Sequence, residues 1–155
     1  MGFAVGNEIL IAALEKIKSY LDYGAFTPIQ VAAASALSSD PSTIAKVREV
    51  YKKRRNVLVD AMSKAGWEIP SPDATMFAWA PIPEKFRSLG SLEFSKVLLK
   101  EADISVAPGI GFGEYGENFV RIGLVENEHR IRQAARNIKA VFTKADKILS
   151  DHSPN

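Results

Sequence analysis

A single arginine, Arg121, stands inside an apolar run with the composition of a β-strand, residues 119–124. Burying a guanidinium is costly unless an anionic group accompanies it, and this run contains no acid. Arg121 therefore either lies on an edge strand, facing water or pairing with a distant carboxylate, or keeps its planar donors free for a ligand carboxylate. Spacing alone favours the edge-strand interpretation.

A glycine-rich segment precedes this run, and Gly111–Gly116 formally matches the G-x-G-x-x-G pattern of dinucleotide-binding loops. In those loops the last glycine opens a helix whose N-terminus meets the pyrophosphate. Here the glycines lead into the apolar run at Phe119. The pattern therefore predicts a tight loop that lies close to a bound ligand, and argues against a nucleotide site.

The other reactive residue types form no recognisable constellation. The chain has no cysteine and only two isolated histidines, His129 and His152, so we expect no disulfide and no metal site. No lysine has the apolar or cation-rich setting that lowers the pKa of a Schiff-base lysine. A net charge of +2 is too small to indicate nucleic acid or an anionic membrane, and no apolar run approaches the roughly 20 residues of a membrane span. We expect a cytoplasmic protein.

The apolar periodicity predicts an α+β fold in which a small, mostly antiparallel sheet is covered by helices and preceded by one long helix. Thr27, Asp40, Ser91 and Asn127 are predicted helix N-caps, and the basic run 52–55 is predicted to be a solvated helix face. The predicted helices cover residues 9–21, 28–37, 41–65, 92–102 and 128–149, and the predicted strands cover 2–5, 67–69, 75–80, 104–107 and 119–124.

Several sequence blocks resemble one enzyme family. Ser105-Val-Ala-Pro-Gly-Ile-Gly-Phe-Gly113, followed by Asn118-Phe-Val-Arg-Ile-Gly-Leu124 and a helix, resembles the C-terminal part of class I and II aminotransferases, which are pyridoxal-phosphate enzymes of fold type I. Residues 74–83, 2–7 and 23–30 are similar to further family segments in the expected order. The resemblance covers nearly the whole chain, and residues 90–94 and 108–113 are most similar to the bacterial alanine-transaminase branch.

The resemblance implies roles for four residues. Arg121 would bind the substrate α-carboxylate, and Phe77 would lie near the substrate, although its spacing fits a core residue equally well. Tyr23 and Thr27 would lie at the interface of a homodimer and reach the partner's cofactor phosphate, while an ordinary loop and cap explain them as well. The implied partners are an amino acid and a 2-oxo acid.

The resemblance also implies that the catalytic centre is incomplete in this chain. In the family, the Schiff-base lysine and a phosphate-binding arginine lie upstream of the segment that matches Gly2, so no catalytic residue is assigned here. We expect a remnant of the large domain at 1–39, a connecting helix at 40–66, a small domain at 67–150 and a disordered tail at 151–155. This chain alone should be inactive and hold no cofactor. The alternatives are a non-catalytic module that binds small carboxylates and an interaction module.

Overall fold

The computed structural model describes residues 1–151. The chain divides into two compact units, Met1–Ile44 and Ala45–Asn155. Residues 152–155, which include His152 and most of the predicted tail, lie outside the described part.

The first unit contains two helices, α1 (Glu8–Leu21) and α2 (Thr27–Leu37). Asn7 caps α1, because its Oδ1 atom accepts hydrogen bonds from the backbone N–H groups of Ile9 and Leu10 at 3.0 and 3.4 Å. Neither helix has a buried residue. The apolar stripe that the sequence predicts on α1 is therefore exposed in this unit.

Two predictions for the first unit are wrong. Residues 2–5 form no strand, since a strand needs a neighbouring chain for its hydrogen bonds. Thr27 is the first residue of α2, not its N-cap; Phe26 takes that position without a side-chain bond, and its carbonyl accepts from the N–H groups of Ile29 and Gln30. Pro28 has no N–H group to satisfy there.

The long helix α3 covers Ser42–Lys64. Asp40 precedes it as predicted, with its carboxylate accepting from the Ser42 N–H group at 3.0 Å and from the Ser42 hydroxyl at 2.6 Å. The helix ends just before Gly66, as predicted. The φ of 88° at Gly66 is left-handed, a conformation that glycine adopts without steric cost.

The second unit contains three strands within the described residues, β1 (Phe77–Pro81), β2 (Ala107–Pro108) and β3 (Phe119–Gly123). They form one sheet in the order β1-β3-β2. Both outer strands run antiparallel to β3, which confirms the predicted α+β class. The helices that follow α3 are α4 (Gly90–Ala102), α5 (Glu128–Thr143) and α6 (Ala145–Asp151).

The core lies on one face of this sheet. Ala78, Ala80 and Val120 point into it and are fully buried, because alternate residues of a strand face the same side. The larger side chains come from the helices and turns around them. Trp67 packs edge-on against Phe94, with ring centroids 5.7 Å apart.

Residues 67–69 do not form the predicted strand. The side chain of Trp67 anchors this segment, in place of backbone hydrogen bonds to a neighbouring strand. The Trp67 N–H group donates to the Met62 carbonyl at 2.9 Å, and its indole N–H donates to the Pro81 carbonyl at 2.8 Å. The predicted strand 104–107 shortens to β2, because the Ile104 N–H group donates to Leu98 at the end of α4.

Two helix predictions near the C-terminus also need correction. Ser91 is not the N-cap of α4; Leu89 takes that position and Ser91 lies within the first turn. The final helix is capped by Asn127 as predicted, but it is interrupted at Lys144 instead of running on to residue 149. The Thr143 hydroxyl donates to the Lys139 carbonyl at 2.9 Å, a side-chain bond that competes with regular helix hydrogen bonding.

Candidate functional site

Arg121 occupies the central strand, on the sheet face opposite the core. In the register, Arg121 lies beside Trp79 of β1 and Ala107 of β2. Its neighbour Val120 points into the core, so the arginine side chain points the other way. Arg121 is half-buried, and it does not lie on an edge strand as the simpler interpretation required.

Two phenyl rings flank the guanidinium. The Cζ atom of Arg121 lies 4.2 Å from the ring centroid of Phe77 and 4.4 Å from that of Phe112. A cation over an aromatic face is stabilised by about 0.5–2 kcal/mol, depending on how well water is excluded. The two rings can therefore stabilise the positive charge without occupying the in-plane N–H donors.

No protein anion neutralises this charge within residues 1–151. None of the ion pairs there involves Arg121, and its guanidinium donates no hydrogen bond to another described residue. The planar fork of an arginine matches the two oxygens of a carboxylate. A guanidinium in this arrangement can bind a carboxylate.

Further aromatic side chains support these rings. Trp79 stacks on Phe119, with centroids 5.5 Å apart and planes inclined by 20°, and meets Phe112 edge-on at 5.6 Å. Phe77, Trp79 and Phe112 keep 36%, 38% and 52% of their surface exposed. The arginine and its aromatic surroundings are thus accessible from the outer face of the sheet.

The structure brings Arg121 and Phe77 together, and their predicted roles toward a substrate remain predictions. Tyr23 and Thr27 belong to the other unit. Tyr23 is 94% exposed and adopts a φ of 54°, and Thr27 opens α2 without a side-chain cap bond. Both side chains are exposed, and their predicted roles toward a cofactor phosphate remain predictions.

Sequence reasoning missed Trp79, Phe112 and Phe119. The alternation of large and small residues in Phe77-Ala-Trp-Ala was the available signal for Trp79, because it places both rings on one face. Phe112 had a weaker signal: it lies between two glycines of the loop that was predicted to approach a ligand. No helix opens at Gly116, which is followed by a turn and then by β3, in agreement with the argument against a dinucleotide site.

The basic run 52–55 is only half solvated, which corrects the prediction for it. Arg54 is partly buried and donates through Nη1 to the carbonyls of Leu124 and Val125 at 3.1 and 3.0 Å. Arg55 donates to the carbonyl of Pro72 at 3.3 Å. Arg54 thus ties α3 to the residues that directly follow β3, the strand that carries Arg121.

Two clefts lie elsewhere in the second unit, and Arg121 lines neither. One, of about 690 Å³, lies between α3 and residues 72–76. The other, of about 560 Å³, is lined by residues 103–106 and by α5. Within the described chain no three metal-ligating side chains cluster, and none of its helices has the length and apolarity to cross a membrane.

All lysines within residues 1–151 are exposed. A lysine that binds an aldehyde cofactor covalently is normally desolvated or placed beside another cation. The described residues therefore do not fit the covalent anchor of such a cofactor.

Comparison with known proteins assigns the family. The family model for aminotransferase class I and II matches residues 1–138. The chain belongs to this family. Among curated aminotransferases, the glutamate-pyruvate aminotransferase AlaC of Escherichia coli K12 is 54% identical over 149 residues. A protein of Rhizobium meliloti strain 1021, assigned as the aminotransferase AatC, is 69% identical over 149 residues.

The solved aminotransferases share the fold of this chain. The aromatic aminotransferase of Pyrococcus horikoshii OT3 superposes with a TM-score of 0.80 at 28% identity, over 92% of this chain and 38% of its own. The chain likewise covers 37% of AatC and 36% of AlaC, while 96% of the chain is matched in each. The chain therefore spans little more than a third of the length of these aminotransferases.

Proposed function

We propose that this chain is the C-terminal part of an aminotransferase that moves an α-amino group from an amino acid to a 2-oxo acid. The observation that carries the proposal is the Arg121 guanidinium, flanked by Phe77 and Phe112 and without an anionic partner among residues 1–151. The similarity to a glutamate-pyruvate aminotransferase supports alanine or glutamate as the amino donor.

Arg121 would hold the α-carboxylate of the substrate through two parallel hydrogen bonds. Each hydrogen bond to a charged group contributes about 1.5–3 kcal/mol, and two together fix the direction of the carboxylate as well as its position. Holding the carboxylate also restricts rotation of the adjacent α-carbon, which presents its C–H bond in one orientation. Phe77 and Phe112 exclude water beside the guanidinium, which strengthens its interaction with an anion.

The remaining parts of the site would come from outside this chain. The family cofactor, pyridoxal phosphate, serves as an electron sink when bound, and its anchoring lysine is not among the described residues. Residues 1–39 would pack on the large domain, residues 40–66 would connect the domains, and residues 67–150 would form the small domain. Tyr23 and Thr27 would reach the partner's cofactor in a cytoplasmic homodimer.

The coding sequence upstream of Met1 is the first test. An open frame that encodes a lysine about ten residues before Gly2, the spacing that the family suggests, would support the proposal. Kinetics of the full-length protein would then test Arg121 directly. Absence of any upstream frame would overturn the proposal that this chain is part of an active transaminase.

A non-catalytic carboxylate-binding module is the second candidate function. It is favoured by the fact that Arg121 is half-buried and has no anionic partner among residues 1–151. Calorimetric titration of the 155-residue chain with pyruvate and 2-oxoglutarate tests it. Saturable binding that Arg121→Lys abolishes would support the module. If the 155-residue chain binds neither compound, the result favours the transaminase proposal.

A further inference from the structure

A buried serine joins three segments next to the candidate site. Ser91, in the first turn of α4, is fully buried, and its hydroxyl donates to Oε2 of Glu117 at 2.8 Å. The same hydroxyl accepts from the N–H group of Ile110 at 3.0 Å. Ser91 therefore connects α4 to both ends of the loop that carries Phe112.

Glu117 completes this connection from the other side. Its Oε1 atom accepts from the backbone N–H group of Ser91 at 3.2 Å, so both carboxylate oxygens are bound by one residue. That N–H group lies in the first turn of α4, where backbone donors have no partner inside the helix and a negative charge is stabilised. A Cβ atom on Gly90 would lie 2.3 Å from Oε1, so a larger residue there would displace the carboxylate from this position, and the φ of 69° at Gly90 also favours glycine.

The loop between these anchor points is closed by direct backbone contact. A Cβ atom built on Gly109 would lie 1.9 Å from the Gly116 carbonyl oxygen, and one built on Gly116 would lie 2.2 Å from the Gly109 carbonyl oxygen. The two ends of the loop thus touch each other. Phe112 lies between them, where it contacts Trp79 and covers Arg121.

We infer that Ser91 and Glu117 are positioning residues for Arg121, acting through the loop 109–116. Their hydrogen bonds hold the loop against α4, the loop holds Phe112 over the guanidinium, and Phe112 keeps the in-plane donors aimed at the substrate carboxylate. This inference rests on the proposed function of Arg121. Neither Ser91 nor Glu117 touches the substrate in this arrangement.

Two variants remove the connection by different routes. Glu117→Gln keeps the size of the side chain but replaces one acceptor oxygen with an N–H₂ group. Ser91→Ala removes the hydroxyl and leaves the backbone bond to Glu117 intact. The matched control is Glu114→Gln, because Glu114 is an exposed carboxylate of the same loop whose side chain makes no hydrogen bond to a described residue.

The direct measurement is the NMR chemical shift of the Arg121 side-chain protons in the 155-residue chain, which reports the ring current of Phe112. The variant Phe112→Leu supplies the reference value, which is the chemical shift of these protons when the Phe112 ring is absent. We expect Glu117→Gln and Ser91→Ala to move the shift toward that value and Glu114→Gln to leave it unchanged. In the full-length protein the two variants should raise the amino-acid KM by no more than Phe112→Leu does, about twofold to fivefold, because they act through the contact of that ring with Arg121, with kcat changed about twofold or less.

Wild-type shifts in both variants would overturn the inference. Unfolding of both, detected by circular dichroism, would assign the connection to folding and also overturn it. If the variants move the Arg121 shift while Arg121→Lys leaves KM unchanged, then the loop is positioned as inferred and the proposed substrate role of Arg121 is the part that fails.

Discussion

The Cζ atom of Arg121 lies 4.4 Å from the ring centroid of Phe112, although the two residues belong to different kinds of backbone structure, a strand and a 3₁₀ turn. A ring in this position covers the guanidinium and leaves its edge accessible. The hydrogen-bond donors of an arginine lie in the plane of the group. The contact therefore favours recognition of a planar anion such as a carboxylate.

Arg121→Lys in the full-length protein should raise the amino-acid KM at least about tenfold, because a lysine cannot reproduce the two parallel hydrogen bonds. Steady-state kinetics measure this change. The control is Arg136→Lys, an exposed arginine of α5, which should leave KM unchanged. Equal KM values for Arg121→Lys and the wild type would remove Arg121 from the substrate site.

Phe112→Leu should raise the amino-acid KM about twofold to fivefold, since it removes one cation–π contact while keeping an apolar side chain. The matched control is Tyr115→Leu, because Tyr115 is an aromatic residue of the same loop that is 91% exposed. A double-mutant cycle with Phe77→Leu would measure whether the two rings act together on Arg121. Identical effects of the Phe112 and Tyr115 substitutions would contradict a specific role for Phe112.

Gly116→Ala should destabilise the 155-residue chain by about 1–3 kcal/mol, the usual cost of forcing an extra methyl group into a packed site. The new Cβ atom would lie 2.2 Å from the Gly109 carbonyl oxygen. Gly111→Ala is the control, since a Cβ atom there meets nothing within 4 Å. Urea unfolding would compare the two variants, and equal stabilities would show that the backbone contact is not maintained in solution.

Ser42→Ala should raise the pKa of the Asp40 carboxyl group. Hydrogen bonds from the Ser42 hydroxyl and then from the Ser42 N–H group lower this pKa from its ordinary value of 3.8. A carboxyl group whose pKa is lowered by folding stabilises the fold above its unfolded pKa, and this contribution is lost as the pH falls through its folded pKa. The start of α3 should therefore fray at a higher pH in the variant.

A carbon-detected NMR titration of the Asp40 carboxyl group would measure this change. Ser39→Ala serves as the control, because the Ser39 hydroxyl donates to the Ser35 carbonyl and not to Asp40. An unchanged Asp40 pKa in Ser42→Ala would show that the hydroxyl contact contributes nothing in solution.

Local chemistry made several features predictable from the sequence. Asp40 precedes α3, Asn127 caps α5 with its own side chain, and Gly66 follows α3 in a left-handed backbone conformation. These signals act within one turn of the chain. The apolar run around Arg121 likewise predicted a strand, which is β3, and the apolar periodicity predicted the α+β class.

Where a side chain meets a distant segment, the same local reasoning failed. Serine often caps helices, but tertiary packing directs the hydroxyl of Ser91 toward Glu117 and Ile110. The residues around Trp67 predicted a strand. Instead, the indole N–H group of Trp67 donates to the Pro81 carbonyl, and its ring packs in the core. In both cases the partner lies far along the sequence, so no local pattern could identify it.

The sequence by itself determined that a lone guanidinium stands in an apolar strand and that a glycine loop precedes it. Only the tertiary structure decided that this strand is the central one, and that Phe77 and Phe112 flank Arg121 with no carboxylate among residues 1–151 to neutralise it. The physical reason is that strand order and loop closure depend on contacts between distant segments, whereas residue spacing specifies only which side of its own strand a side chain occupies.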